Sequence, residues 1–88
     1  MSLTLTDTAA RIEAFIRREA AVPDDDVHFT RRVNLFDTGY LDSLTVVALT
    51  VHIEEALGVP ISETDLFDPR FATIEGMAEL VTQRARCA

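Results

Sequence analysis

Fifteen residues, Ser43 to Leu57, lie between an aspartate and a glycine and constrain this chain more than any other stretch. Asp42 is a residue type that satisfies free N–H groups at a helix start, and Gly58 is the type that ends a helix in the left-handed conformation. Between them Thr45, Val46, Val47, Thr50, Val51 and Ile53 are β-branched, which favours a strand. Length decides for the helix: a capped segment of fifteen residues exceeds a typical strand. The apolar residues fall on two lines, Leu44-Val47-Ala48-Val51 and Val46-Leu49-Ile53-Leu57. A helix that is apolar on two sides is expected to be central and largely buried.

The remaining pattern supplies three more helices. From about Asp7 to Ala20, Ile12, Phe15, Ile16 and Ala20 form one apolar stripe, with Thr6 or Asp7 as the cap and Val22-Pro23 as the stop. A loop then runs from Asp24 to about Leu41. It exceeds the usual ceiling of ~12–15 residues, and its Val27, Phe29, Val33, Leu35 and Phe36 suggest that it lies across the helices. Ser62-Glu63-Thr64-Asp65 has the form of a capping box and opens a short third helix through Leu66-Phe67, closed by Pro69. Thr73 caps the fourth helix, in which Ile74, Met77, Ala78 and Val81 share a face and Gly76 weakens the first turn. Arg84 and Arg86 suit that helix's C-terminal end, and Cys87-Ala88 is expected to fray. The fold class is all-α: a four-helix bundle in one domain, residues 1–88, with a long first loop and a short third helix.

Eighty-eight residues leave little room for a deep enzyme pocket. No run approaches the ~18 apolar residues of a membrane span. Met1-Ser2-Leu3-Thr4 has no basic segment, so no signal peptide is expected, and a single Cys fits a reducing cytoplasm. The net charge is −7, and its placement is informative. Between Arg32 and Arg70 there is no basic residue and there are seven acids: Asp37, Asp42, Glu54, Glu55, Glu63, Asp65 and Asp68. Outside that interval eight acids balance eight arginines. Nucleic acid is excluded, because it needs a basic footprint. Two readings of the acidic middle stay open, a solvated face or a surface that steers partners bearing basic patches.

The chemistry-bearing residues are few. Ser43 stands in the first turn of the central helix, where unpaired N–H groups and the positive end of the helix dipole favour a phosphate ester. Catalysis by Ser43 requires a base within hydrogen-bond reach. His52 lies nine residues on, about 180° around the helix and about 13 Å along it, and His28 is accessible only through the loop. Asp24-Asp25-Asp26 lacks the spaced ligands of a calcium loop, and His28, His52 and Cys87 lack zinc spacing. No catalytic or metal-binding residue is assigned. By pattern alone the simpler reading of Ser43 is a helix-start residue and nothing more.

Leu35-Phe36-Asp37-Thr38-Gly39-Tyr40-Leu41-Asp42-Ser43-Leu44 resembles the acyl and peptidyl carrier proteins. The similarity continues through Glu54-Glu55-Ala56-Leu57-Gly58-Val59 and Ile61 to Thr73-Ile74, nearly the whole chain, and overturns the simpler reading of Ser43. The resemblance implies that Ser43 receives 4′-phosphopantetheine from coenzyme A through a magnesium-using phosphopantetheinyl transferase. It implies a terminal thiol that holds an acyl or aminoacyl group as a thioester, and a protein that catalyses nothing itself. It also implies docking through Asp42, Leu44, Val47, Glu54 and Asp65 onto basic patches of an adenylating or acyl-transferring loading enzyme and of a downstream synthase or transferase.

Subtype is read from departures within the family. Fatty-acid carriers usually show Gly-X-Asp-Ser, and this chain has one residue more in Gly39-Tyr40-Leu41-Asp42-Ser43. Fatty-acid carriers also bear more acids where this chain has Thr45, Ala48, Thr50 and His52. Gly-Gly-His-Ser, usual in the large peptide synthetases, is absent. The spacing, and the link Asp68-Pro69-Arg70-Phe71-Ala72-Thr73-Ile74, are similar to free-standing carriers of antibiotic pathways and to the D-alanyl carrier protein. The expectation is a discrete monomeric carrier of a polyketide or nonribosomal peptide pathway that meets its partners in trans. The alternatives are a D-alanyl or primary fatty-acid carrier, and an unmodified acidic helical interaction module.

Overall fold

A computed structural model of the protein describes the backbone of residues 4–87 and the side chains of residues 4–85. The expectations for Met1, Ser2, Leu3 and Ala88, and for the side chains of Arg86 and Cys87, fall outside the described residues. Among these residues there is no strand. Helix α1 spans Leu5–Glu19, α2 Ser43–Leu57, α3 Glu63–Leu66 and α4 Ile74–Cys87, with a 3-10 turn at Pro69–Ala72 between the last two.

The core is built on α1 and α4, which pack most extensively. Thr8, Ala9, Ile12, Phe15 and Ile16 of α1 are buried against Ile74, Met77, Ala78, Leu80 and Val81 of α4 and the loop residues Val22, Phe29, Leu35 and Leu41. α1 starts earlier than Asp7. Thr4 Oγ1 accepts the Asp7 N–H at 3.1 Å, so Thr4 is the cap and Asp7 is an acid of the first turn. Three neighbouring residues here have capping side chains, and local pattern does not choose among them. The helix ends through Ala21, at φ 53°, with the Val22 N–H donating to the Arg17 carbonyl at 2.9 Å.

The loop between α1 and α2 is tied down rather than loose. The Leu35 N–H donates to the Ala72 carbonyl at 2.8 Å, the Leu41 N–H to the Leu35 carbonyl at 3.0 Å, and the Glu75 N–H to the Arg31 carbonyl at 2.9 Å. Glu13 of α1 meets Arg31 at 3.0 Å, and Arg17 lies 4.7 Å over the Phe29 ring. Phe29 and Leu35 are buried and Val33 packs on the core, as the pattern required. Val27 and Phe36 are exposed instead, Val27 at 81%. Apolar type alone does not fix which loop residues turn inward.

α2 departs most from expectation. Its boundaries, its Asp42 cap and its Gly58 stop are as predicted, with Gly58 at φ 69°. It is not buried on two sides. Val46, Leu49 and Ile53 face the core, but Leu44 is 83% exposed, Val47 58% and Val51 46%, and Ala48 is exposed with them. With so small a core, α1 and α4 already fill the centre and α2 lies on the outside, packed chiefly on α1.

The chain from α3 to α4 is locked by side chains. The capping box forms: Ser62 Oγ accepts the Asp65 N–H at 3.3 Å, and Asp65 Oδ2 accepts the Ser62 N–H at 3.0 Å. α3 stops at Leu66 with Phe67 as its C-cap, and Asp68 caps the 3-10 turn that Pro69 opens. Gly76 is a structural requirement rather than only a weak point. A Cβ there would stand 2.0 Å from the Arg70 carbonyl oxygen, so the backbone of the turn touches the first turn of α4 because no side chain intervenes.

Candidate functional site: the exposed start of α2

Asp42 builds the site. Its extended backbone, with φ −123° and ψ −177°, lets Oδ1 accept the Thr45 N–H at 2.8 Å, and its carbonyl accepts the Val46 N–H at 2.9 Å. Ser43 is therefore the first helical residue. The Thr45 N–H bond, the largest influence on it, holds the Asp42 carboxyl below the usual carboxylate range, so Asp42 is an anion at neutral pH.

The approach to Ser43 is rigid. Gly39 turns the chain at φ 85°, where a side chain is strained. Tyr40 donates its hydroxyl to Asp26 Oδ2 at 2.6 Å and sets its ring edge-on to Phe29, with centroids 5.0 Å apart. The Asp26 hydrogen bond raises the Tyr40 pKa, and the Tyr40 bond lowers that of Asp26. Leu41 is buried. The extra residue between Gly39 and Asp42 thus belongs to a pair that holds the segment: Leu41 is buried in the core, and Tyr40 packs against it and ties back to Asp26. Spacing showed that a residue was added there. Only long-range geometry shows what the pair holds.

Ser43 itself is exposed, and among the described residues its hydroxyl has no hydrogen-bond partner. His52 does not approach it. Its ring stacks on Phe15 of α1, with centroids 4.4 Å apart and planes 20° apart. His28 is an exposed loop residue whose backbone N–H donates to Asp26 Oδ1. The geometry presents a hydroxyl to an incoming reagent, and among the described residues no base is hydrogen-bonded to it. Among the described residues no group of three or more His, Cys, Asp or Glu is placed to hold a metal ion.

The structure sorts the expected docking residues. Leu44 and Val47 are exposed on the same face as Ser43. Asp42 is exposed beside them. Glu54 is exposed farther along α2, where Oε1 accepts the Ile61 N–H at 3.1 Å and ties the helix to the following link. Asp65 is a correction. Its carboxylate is buried, paired with Arg84 of α4 and bonded to the Ser62 N–H. Burial raises its pKa, but the bonds from Ser62 and Arg84 outweigh burial and leave it lowered. Asp65 fastens α3 to α4 and offers nothing to a partner. Sequence reading missed Val51, Ala48 and Phe67, the last 86% exposed at the end of α3. The i, i+3, i+4, i+7 line through Leu44 was the available signal, assigned to the core.

The family model of the phosphopantetheine attachment site matches residues 10–81. The chain belongs to that family. D-alanyl carrier protein 1 of Lactiplantibacillus plantarum (strain ATCC BAA-793 / NCIMB 8826 / WCFS1) is 38% identical over 63 residues, which cover 69% of this chain and 75% of that protein. The protein is a carrier protein, and 4′-phosphopantetheine is the group that its domain holds covalently. The site fits such a group, because a phosphodiester needs an accessible hydroxyl that no described neighbour claims; the anionic Asp42 beside it repels the phosphate and directs the link out into solvent. No described helix is long and apolar enough to cross a membrane.

Proposed function

We propose that Ser43 is the attachment residue, and that this carrier serves a polyketide or nonribosomal peptide pathway in the cytoplasm. The observation that carries the first part is the exposed, unpartnered hydroxyl of Ser43 directly after the Asp42 cap. When bound, the pantetheine arm supplies a thiol that holds an acyl or aminoacyl group as a thioester.

The chain's own residues do the rest. Asp42 fixes the first turn of α2, Leu41 and Tyr40 hold the segment before it, and Leu44 and Val47 present a surface beside the serine. A carried serine needs no base of its own, since the enzymes that act on it bring theirs. Those partners are a phosphopantetheinyl transferase, a loading enzyme that adenylates or transfers acyl groups, and a downstream synthase or transferase. Asp42 and Glu54 flank the proposed docking face.

A second reading is supported by the similarity to a D-alanyl carrier protein: the cargo is a single alanyl group. Incubation with coenzyme A and a promiscuous phosphopantetheinyl transferase is expected to add one phosphopantetheine mass, and Ser43→Ala to abolish the gain. A gain that survives Ser43→Ala would overturn the assignment. Intact-mass measurement of the protein from its native host then separates the readings, since an alanyl thioester and a polyketide or peptide intermediate differ in mass. Partner binding that is indifferent to Ser43→Ala and to pantetheinylation would favour an interaction module instead.

A further inference from the structure

The long loop has two halves that are tied separately. Residues 34–39 bond mainly to one another. Asn34 Oδ1 accepts the Phe36 and Asp37 N–H groups, each at 3.0 Å, and the Asn34 carbonyl accepts the Thr38 hydroxyl at 2.8 Å. The Gly39 N–H closes this knot on the Phe36 carbonyl at 3.3 Å. Leu35 fastens the knot to the Ala72 carbonyl, and Leu41 returns to Leu35. Residues 23–29 follow α1 instead. The Asp26 N–H donates to the Pro23 carbonyl at 3.2 Å, and Phe29 is buried with Arg17 of α1 over its ring. Among the described residues, the one hydrogen bond between the two halves is that of the Tyr40 hydroxyl to Asp26.

Ser43 depends on this join more than the rest of α2 does. Val46 is the first buried residue of the helix, so the first turn has no core side chain of its own. It takes its place from the segment before it. One residue between Gly39 and Asp42 could fill the core or reach the loop, and two do both.

We propose that Tyr40 and Asp26 are positioning residues for the transfer of phosphopantetheine to Ser43, because their bond stops residues 39–42 from pivoting about Leu41. The inference rests on Ser43 being the attachment residue. In that transfer the Ser43 oxygen bonds to the phosphorus that carries pantetheine, and the phosphoanhydride bond of coenzyme A breaks. The adenosine bisphosphate leaves with the electron pair, and the serine proton passes to a base of the transferase. A segment fastened at one point can pivot about it, and a second fastening removes that freedom. The second fastening is a strong one, a hydroxyl on a carboxylate at 2.6 Å. A nucleophile displaced by about 1 Å can lose on the order of 10²-fold in rate, so a loosened segment shows in turnover.

The test uses the whole chain, coenzyme A and a promiscuous phosphopantetheinyl transferase, well below the melting temperature of each variant. Tyr40→Phe keeps the ring against Phe29 and removes only the hydroxyl. It is expected to lower kcat about fivefold and leave KM within about twofold of wild type. Asp26→Ala should lose at least as much, and the double variant no more than Asp26→Ala alone, because both remove one bond. Val27→Ser, exposed beside Asp26 but outside the bond, should match wild type. Circular dichroism checks that each variant folds. The chain has one Tyr and no Trp, so phenolate absorbance reports on Tyr40 alone. Its titration should lie above the ordinary ~10 in wild type and fall back towards it in Asp26→Ala. Wild-type kcat in Tyr40→Phe, losses that multiply in the double variant, or the same titration in wild type and Asp26→Ala would overturn the proposal. So would a raised KM with kcat unchanged, which would make Tyr40 a contact of the enzyme. All of these leave modification of Ser43 intact, whereas no mass gain on wild type would remove the attachment reading itself.

Discussion

The starts of α2 and α4 share a local design. At α2 the Asp42 carboxylate accepts the Thr45 N–H at 2.8 Å, and at α4 the Thr73 hydroxyl accepts the Gly76 N–H at 2.9 Å. Each cap residue has an extended backbone and satisfies the donor three residues on. Their surroundings diverge. After Thr73 come a fully buried Ile74 and a glycine against the Arg70 carbonyl. After Asp42 come an exposed serine and an exposed leucine. The cap that closes α4 seals it into the core, and the same device at α2 displays a residue. Capping chemistry says where a helix begins, and packing decides whether that beginning is scaffold or site.

The comparison predicts crossed effects. Ser43→Ala should remove all mass gain with coenzyme A and transferase and leave the melting temperature within about 1 °C of wild type, because an exposed first-turn substitution costs little stability. A large loss of stability in Ser43→Ala would break the contrast. Gly76→Ala should do the reverse. Its Cβ meets a backbone oxygen that cannot rotate away, so a loss of about 3 kcal/mol is expected, seen as a drop of more than ~10 °C in thermal unfolding. The fraction still folded should be pantetheinylated at the normal rate.

Asp65→Ala should be smaller, about 2 kcal/mol, from loss of the capping box and of the pair with Arg84. The pH dependence has a defined sign. The folded pKa of Asp65 lies below its unfolded value, so its contribution is complete above the unfolded carboxylate range, near 4, and is lost as pH falls through the folded pKa. Acid unfolding should therefore be shallower in Asp65→Ala, and an unchanged acid limb would show that other carboxylates set it. The smallest effect belongs to Thr8, whose buried Oγ1 has no partner among the described residues. Thr8→Val removes that unmet hydroxyl at nearly constant shape and should raise stability by about 1 kcal/mol, read from denaturant midpoints.

The sequence was most legible where structure is set by near neighbours. Asp42, Gly58, the Ser62–Asp65 box and Thr73 act over three or four residues, and each stands where its pattern placed it. Its limits lie where distant segments decide. Nothing near Leu44 or Val47 shows that α1 and α4 fill the core between them, so the outer line of α2 read as interior. Asp65 read as a surface acid because Arg84, nineteen residues later, is invisible to local pattern. Gly76 read as a weak helix former for the same reason, since its neighbour is the Arg70 carbonyl across a turn. For Ser43 the helix position and the neighbouring carboxylate were legible in the order of residues, while the placing of His28 needed the folded loop.

Asp65 and Arg84 join α3 to α4, and the Leu35–Ala72 and Arg31–Glu75 bonds join the long loop to the same region. These bonds link the loop and α3 to α4, which packs on α1. α2 is held along one face by Val46, Leu49 and Ile53, with Glu54 at its far end tied to Ile61. Its amide hydrogens should exchange with solvent through local opening, well before those of α1 and α4. The helix that carries the serine is thereby expected to loosen more readily than α1 and α4, whose mutual packing is the most extensive.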